Sequence, residues 1–337
     1  MNPSPYQILI IGPSWVGDMV MAQSLFITLK QQYPDALIDV LAPAWSLALL
    51  ARMPQVHQGI AMPLGHGQFN LAARYQLGRQ LAAQQYDLSI VLPNSWKSAL
   101  IPWFAGVPQR RGYLGELRWG LLNQARKLDK SRLTMTVQRF VALGFPADSP
   151  QPPEYPVPRL SISAQQQQQL VQQFQLNTDS KILALCPGAE YGPAKRWPVE
   201  HFASVARTKI QQGWQVWILG SAKDRDVAEQ IDQLTAQQCR NFAGVTQLGE
   251  AVDLLSLADV VLSNDSGLMH VAAALDKPLI ALYGSSDPHF TPPLHPLAQI
   301  ISLHLPCSPC FKRECPLGHT RCLAEILPGQ VLAAIEA

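Results

Sequence analysis

Val260–Gly284 reads VVLSNDSGLMHVAAALDKPLIALYG. The spacing predicts a buried strand over Asp259–Leu262, a polar turn of small residues over Ser263–Gly267, a helix over Leu268–Leu275 and a second buried strand over Pro278–Tyr283. Asp265, Ser266 and Gly267 then stand where a strand ends and a helix begins. The first backbone N–H groups of a helix lack partners and carry partial positive charge, so this junction suits an anion. Open α/β sheets hold ligands outside the carboxyl ends of their strands. Taken alone, Asp265 or Ser266 reads as a helix cap; the rest of the chain shifts the reading toward a site.

Outward from this stretch the same alternation recurs. In the first half, strands are expected at Gln7–Ile11, Leu37–Leu41, Gly59–Met62, Leu88–Leu92 and Arg110–Tyr113, with helices at Met19–Tyr33, Leu71–Gln84 and from Lys97. In the second half, strands are expected at Ile182–Cys186, Gln215–Leu219 and Asn241–Ala243, with helices at Val199–Gln212, Asp224–Thr235 and Leu248–Leu257. Runs of Ile, Leu and Val in a repeated β-α-β order indicate parallel sheets covered on both faces. The proline-rich stretch from Ser149 to Arg159 continues neither a helix nor a central strand, and a glutamine-rich helix over Ala164–Gln175 follows it. The expected organisation is therefore α/β: a doubly wound domain over 1–155, a linker and connecting helix over 156–178, and a second doubly wound domain over 179–337 with a cysteine-rich segment at 307–322. Two such domains facing across a cleft would offer a ligand site.

Bulk properties narrow the function. With 337 residues, 47% hydrophobic and 15% charged, the chain has enough apolar material for two cores. A net charge of +2 does not point to nucleic acid. Met1–Tyr6 has no basic residue and Ile8–Ile11 is too short for the apolar core of a signal peptide. Ala36–Ala51, the longest mostly apolar stretch, is interrupted by Asp39 and Pro43 and cannot span a bilayer. A cytoplasmic protein is expected.

Three further motifs bear on chemistry. ILIIGPSWVGDMVMAQ (Ile8–Gln23) puts Gly12, Gly17 and Asp18 on a strand-to-helix loop. Its Gly-x4-Gly-Asp spacing is neither a dinucleotide fingerprint nor a P-loop. Asp18 reads equally well as a helix cap and as a carboxylate able to accept a proton. LCPGAEYGPAKRWPVEHF (Leu185–Phe202) has Gly188, Ala189 and Gly192 in a small-residue loop, then Lys195 and Arg196, cations suited to a phosphate. WILGSAKDRD (Trp217–Asp226) ends a strand at Gly220-Ser221. Its Asp224 and Asp226 mimic a metal motif but are expected in a first helical turn. His270, one turn into the helix after Asp265, is packing or a donor to the anion.

Together these motifs are identified with glycosyltransferase family 9, the ADP-heptose:lipopolysaccharide heptosyltransferases. The resemblance lies in Gly-Asp after the first strand, Pro-Gly-Ala…Lys-Arg-Trp-Pro-x-x-His-Phe, Gly-Ser-x-x-Asp, and Ser-Asn-Asp-Ser-Gly-x-x-His-x-Ala-Ala-Ala, and it covers nearly the whole chain in order. The loop Gly12–Met19 and the cysteine-rich tail resemble the branch that transfers onto heptose I, more than the branch acting on Kdo-lipid A. The resemblance implies a GT-B architecture, the acceptor on the first domain and the nucleotide sugar on the second. It implies Asp18 as general base, with Gly17 beside it. It makes Lys195 the diphosphate contact, and Gly188, Ala189, Ser221, Asp224, Asp265, Ser266, Gly267 and His270 the donor site. It further implies an inverting reaction that needs no metal or other cofactor, with ADP-L-glycero-D-manno-heptose as donor. The implied acceptor is heptosyl-Kdo2-lipid A of the lipopolysaccharide inner core, at the inner face of the cytoplasmic membrane. A rival of another class is a non-catalytic nucleotide-sugar sensor reporting through the cysteines.

Two regions remain. From Lys97 to Arg139 cations dominate: Lys97, Arg110, Arg111, Arg118, Arg126, Lys127, Lys130, Arg132 and Arg139 against Glu116 and Asp129. This is a solvated basic face or a surface for an anionic glycolipid and leaflet, with Lys97, Arg110 and Arg111 as acceptor contacts. Trp96, Trp103 and Trp119 interleave and suit sugar stacking or interfacial contact. No nucleic-acid-binding motif accompanies them. Cys307, Cys310, Cys315 and Cys322 offer enough ligands for a structural zinc, or are reduced thiols packing a loop.

Overall fold

The computed structural model describes residues 5–65 and 67–337; Met1–Ser4 of the segment read for a signal peptide lie outside it. The chain divides into two compact units, the first ending at Pro158 and the second starting at Arg159.

The first unit runs β1 (Gln7–Ile11), α1 (Val16–Gln32), β2 (Leu37–Pro43), α2 (Leu47–Leu50), β3 (Gln58–Met62), α3 (Leu71–Leu81), β4 (Leu88–Val91), α4 (Leu100–Phe104), β5 (Gln109–Tyr113), β6 (Gln124–Arg126) and α5 (Thr136–Ala142). Its sheet has the order β3-β2-β1-β4-β5-β6, and every pairing is parallel. Ile8–Ile11 are buried to a residue, because a central parallel strand is covered on both faces. On one face, Leu9, Ile11, Leu41 and Val91 pack with Leu81 at the end of α3, Ala99 just before α4 and Ile101 within α4. The residues between them in the strands point to the other face, where α1 lies against α5. Gly78 lets α3 approach α4: a Cβ there would come within 2.9 Å of the Ile101 carbonyl oxygen.

The second unit runs α6 (Ala164–Gln173), β7 (Ile182–Cys186), α7 (Val199–Gln211), β8 (Gln215–Ile218), α8 (Arg225–Leu234), β9 (Arg240–Asn241), α9 (Leu248–Leu257), β10 (Val260–Asn264), α10 (Gly267–Ala274), β11 (Leu279–Leu282), β12 (Gln299–Ile301), α11 (Arg321–Ala324) and α12 (Pro328–Glu336). The order β12-β11-β10-β7-β8-β9 repeats the winding of the first unit. In each sheet the direction of winding reverses beside the first strand, between β1 and β4 and between β7 and β10. Such switch points open a crevice at the carboxyl ends of the strands. The glutamine-rich helix α6 packs on α9, with Gln167 Nε2 donating to Ser256 Oγ at 2.8 Å.

Differences from the expected elements have simple causes. β6 and β12 escape the pattern because they are three-residue edge strands, too short to show a periodicity of their own, held by pairing to β5 and β11. α5 is seven residues long and was not anticipated. The helix expected from Lys97 starts as a 3-10 turn over Trp96–Ala99 before α4. β10 extends through Ser263 and Asn264, which read as turn residues. Both are fully buried and paired, opposite Cys186 of β7 and Leu282 of β11.

Candidate functional site

At the switch point of the second unit, the loop after β7 meets the junction between β10 and α10. Asn264, the last residue of β10, joins them. Its Nδ2 donates to the Pro187 carbonyl at 2.7 Å, and its Oδ1 accepts the Trp197 N–H at 3.0 Å. The two ends of the Pro187–Trp197 loop are thereby tied to one buried side chain. Trp197 is anchored further by its indole N–H on the Ile326 carbonyl at 2.9 Å.

The loop held in this way presents Lys195 to Asp265. The ammonium and carboxylate form an ion pair of 2.5 Å; Asp265 is 5% exposed and Lys195 18%. Ser266 occupies the N-cap position of α10, but its hydroxyl lies 3.2 Å from Ser263 Oγ and caps no helix N–H. The N–H groups that begin α10 at Gly267 therefore receive no side-chain cap. Each such group carries partial positive charge. Ser266 thus stands at the N-cap position without capping the helix. His270, one turn further, is buried. Burial pushes its imidazole down to about 4, against the pull of Asp265 and with the help of Lys195, so at neutral pH it is an uncharged donor and acceptor.

Asp224 has a bridging place. Its Oδ2 accepts the Ser221 N–H at 2.9 Å and hydroxyl at 2.8 Å, closing the turn after β8. Its other oxygen lies 3.7 Å from Arg196. Gly188 faces this carboxylate so closely that any Cβ would overlap it. Ala189 beside it is buried. The expected donor residues Gly188, Ala189, Lys195, Ser221, Asp224, Asp265, Ser266, Gly267 and His270 accordingly belong to neighbouring loops of one strand edge. Sequence reading passed over three others there. One is Asn264. The others are Ser285 and Ser286, just past β11, whose buried hydroxyls have no hydrogen-bond partner among the described residues. Their position at the carboxyl end of a strand neighbouring β10 was the available signal.

The cysteine-rich segment leans on the same loop. The Arg313 carbonyl accepts the Ala194 N–H at 3.0 Å, the Phe311 carbonyl accepts the Tyr191 hydroxyl at 2.8 Å, and Ser308 Oγ bonds the Gly284 carbonyl. The Lys195 ammonium lies 5.2 Å and the Arg313 guanidinium 5.3 Å from the centre of the Tyr191 ring. All four thiols, Cys307, Cys310, Cys315 and Cys322, are free. The backbone N–H of Thr320, with those of residues 317–319, lowers the Cys315 thiol from its ordinary value. Burial, then the other three thiols, raises that of Cys322. Among the described residues no group of three or more His, Cys, Asp or Glu side chains is arranged to hold a metal ion.

In the first unit the loop after β1 leads straight into α1, whose N-cap is Trp15. Gly17 is buried, and Asp18 is a half-buried acid in the first turn rather than the cap. Lys97 sits in the 3-10 turn after β4, the neighbour of β1 at the switch point. Arg110 and Arg111 lie in β5 and are turned to structural work. Arg110 donates to the carbonyls of Leu121 (2.7 Å) and Val107 (2.6 Å), and Arg111 to that of Leu143 (2.8 Å) and to Gln124 Oε1 (2.9 Å). Arg118 is wholly buried on the carbonyls of Pro93 and Tyr113 and the Asn94 side chain. Burial drives its guanidinium down to about 10. Much of the basic run is thus a set of struts between loops.

Two α/β units of this winding, the second with an anion-suited strand edge, have the build of the GT-B glycosyltransferases that use nucleotide sugars. Comparison with known proteins agrees. The family model described as glycosyltransferase family 9 (heptosyltransferase) matches residues 74–321. Lipopolysaccharide heptosyltransferase 2 of Salmonella typhimurium is 48% identical over 98% of both chains. Lipooligosaccharide heptosyltransferase 2 of Haemophilus influenzae is 52% identical over 88% of both. The solved structure of E. coli ADP-heptose LPS heptosyltransferase II superimposes with a TM-score of 0.86 at 45% identity, covering 98% of this chain and 97% of that one. The chain belongs to glycosyltransferase family 9, and it is an enzyme of that class. Among the described residues no helix is long and apolar enough to cross a membrane.

Proposed function

We propose that this enzyme transfers L-glycero-D-manno-heptose from ADP-heptose to heptose I of the lipopolysaccharide inner core, with inversion at the anomeric carbon. Identity of 48% to a heptosyltransferase 2 across 98% of both chains carries this reading. The loop geometry around Lys195 and Asp265 supports it, because it offers a diphosphate a cation and uncapped helix N–H groups side by side.

In this reading the acceptor hydroxyl attacks the anomeric carbon of the donor heptose. Asp18 takes the hydroxyl proton, the new C–O bond forms, and the bond from the anomeric carbon to the phosphate oxygen breaks. ADP leaves with that electron pair. Charge builds up on the departing diphosphate, and Lys195 together with the start of α10 at Gly267 stabilises it, with Ser266 alongside. Lost donors of this kind cost roughly 3–4 kcal/mol each in other enzymes. Lys195 is shared with Asp265, so the ammonium is held in place before the donor arrives and is not a mobile tether. His270 stays neutral beside the anion, where it adds no charge but can donate a hydrogen bond. Gly188, Ala189, Ser221 and Asp224 shape the wall for the nucleotide. Gly17 and Lys97 attend the acceptor, and the lipid part of that acceptor brings the enzyme to the inner face of the cytoplasmic membrane.

The test is incubation of purified enzyme with ADP-heptose and core acceptors with and without the first heptose, read by mass spectrometry. Addition of one heptose only to the acceptor that already carries heptose I is expected. Addition to the heptose-free acceptor alone would move the enzyme to the other branch, and binding of ADP-heptose without consumption would make the protein a sensor.

A further inference from the structure

Between Ala61 and Glu116 the chain carries a single acid, Asp87, and that carboxylate accepts the Gln7 N–H just before β4. The same span holds α3 and α4, and there large apolar side chains stand in water. Leu71 and Tyr75, one turn apart in α3, are 48% and 51% exposed, and Trp103 in α4 is 47% exposed. The loop from β5 to β6 then puts out Leu117 at 84% and Trp119 at 71%. Arg118 between them is the wholly buried strut described above, so its two neighbours are held outward by a fixed anchor.

Contacts join these side chains into one surface. The rings of Tyr75 and Trp103 both pack on Phe104, with centroids 5.2 and 5.0 Å away. Two residues before α3, the Phe69 ring meets that of Trp96 at 4.9 Å. The Trp96 N–H donates to Glu116 at 3.1 Å, and the Glu116 N–H donates to the Asn94 carbonyl at 3.3 Å, which seats Leu117 next to this pair. Beneath them, buried Arg74 donates to the carbonyls of Gln68 and Lys97 at 3.0 and 3.2 Å. Exposed cations border the surface: Arg79 on α3, and Lys127, Lys130 and Arg132 after β6, the strand paired to β5. The acids nearby are engaged, Glu116 as above and Asp129 on the Ser131 hydroxyl and the N–H groups of Ser131 and Arg132.

A contiguous exposed apolar surface with a polar rim marks an interaction site, and the side chains decide its kind. Leu71 and Leu117 have neither a flat face to stack on a sugar nor a polar group to bond one; they gain by leaving water for hydrocarbon. Trp and Tyr settle at the boundary between headgroups and acyl chains. Cations without free acids beside them are drawn to a negatively charged leaflet. We propose that this surface docks the chain on an anionic lipid bilayer. Leu117 and Trp119 enter the acyl boundary, Tyr75 and Trp103 lie at headgroup level, and Arg79, Lys127, Lys130 and Arg132 meet the lipid phosphates. In the proposed function the lipid of the acceptor brings the enzyme to the membrane; here the chain holds the membrane with its own side chains, whether or not an acceptor is bound.

The experiment mixes the purified full chain with phosphatidylcholine vesicles containing phosphatidylglycerol, free of lipopolysaccharide, and reads binding by flotation. Wild type is expected to float with these vesicles, less so as salt is raised, and far less with phosphatidylcholine alone. Leu117→Ser/Trp119→Ser and the triple Lys127→Ser/Lys130→Ser/Arg132→Ser variant should each weaken binding about tenfold or more, with melting temperature and ADP affinity unchanged. Lipids brominated on their acyl chains should quench wild-type tryptophan fluorescence. Trp103→Phe/Trp119→Phe should still bind and lose much of that quenching, a readout that rings serving only the fold would not move. Wild type that stays unbound at low ionic strength overturns the docking surface, and so do serine variants that float as wild type does. A raised KM of Leu117→Ser/Trp119→Ser for a lipid-free acceptor, with vesicle binding intact, also overturns it and gives the loop to the glycan. No sugar is present in the flotation, so an enzyme that binds vesicles but transfers no heptose refutes the proposed function alone.

Discussion

Asn264 accepts the backbone N–H of Trp197 at 3.0 Å across the switch point of the second sheet, while its amide nitrogen holds the Pro187 carbonyl at 2.7 Å. One fully buried side chain thus fixes both ends of the loop that presents Lys195. Asn264→Leu removes both bonds and strands a buried N–H and a buried carbonyl, each costing about 1–3 kcal/mol. A denaturant midpoint lowered to match is expected, together with weaker ADP binding by calorimetry. A destabilised variant with wild-type ADP affinity would separate the loop from the donor site.

His270 makes stability depend on pH. Its folded value of about 4 lies below its ordinary 6.5, so the unfolded chain binds a proton more readily than the folded one. This contribution is fully present above pH 6.5 and is lost as pH falls toward 4. Between pH 7 and pH 5 the loss amounts to about 2 kcal/mol. Urea titrations at the two pH values check it, and His270→Asn should flatten the difference. An equal fall in the variant would place the pH dependence elsewhere.

How far the sequence could be read varies with how much of each signal is local. β1 and β7 hold four- and five-residue apolar runs bounded by polar residues, glycine or proline, and the structure returns them at the expected bounds. β6 and β12 carry no such run, since their pairing partners, not their own residues, make them strands. Ser263 and Asn264 look like a turn because polar small residues favour turns; only the neighbouring strands show that they are buried and paired. Arg110 and Arg111 illustrate the limit for the site. A guanidinium bonded to backbone carbonyls and one awaiting an anion have the same letter, so a run of arginines cannot be divided between the two by composition. Ser285 and Ser286 could be placed from the sequence only as residues just past a strand; what singles them out, buried hydroxyls with no hydrogen-bond partner among the described residues, is a property of the folded edge.

Asp18→Asn tests the proposed base. The substitution keeps shape and removes the ability to accept the proton, so turnover should fall by about 10²–10⁴-fold. Donor affinity and melting temperature should stay close to wild type. Turnover within a few-fold of wild type would remove Asp18 from the reaction, and a collapse of melting temperature would return it to a structural role in α1.

Gly192 tests whether the cysteine-rich segment supports the Lys195 loop. Its α-carbon lies against the Arg313 carbonyl so closely that any side chain would overlap it, and that carbonyl also accepts the Ala194 N–H. Gly192→Ala must therefore push the two segments apart and break that bond. Two readouts should move together. Lys195 loses its bracing through Tyr191, which Phe311 holds by the hydroxyl, so ADP affinity should fall by several-fold, the effect of about 1 kcal/mol. Cys322, which packs against the Gly284 backbone and whose thiol is raised by burial, should react faster with a maleimide, while the already exposed Cys307 reacts at its former rate. Site-resolved mass spectrometry gives both rates in one time course. Weaker ADP binding with unaltered Cys322 reactivity would mean that the loop yields alone, and the cysteine-rich segment would then have no part in holding the donor site.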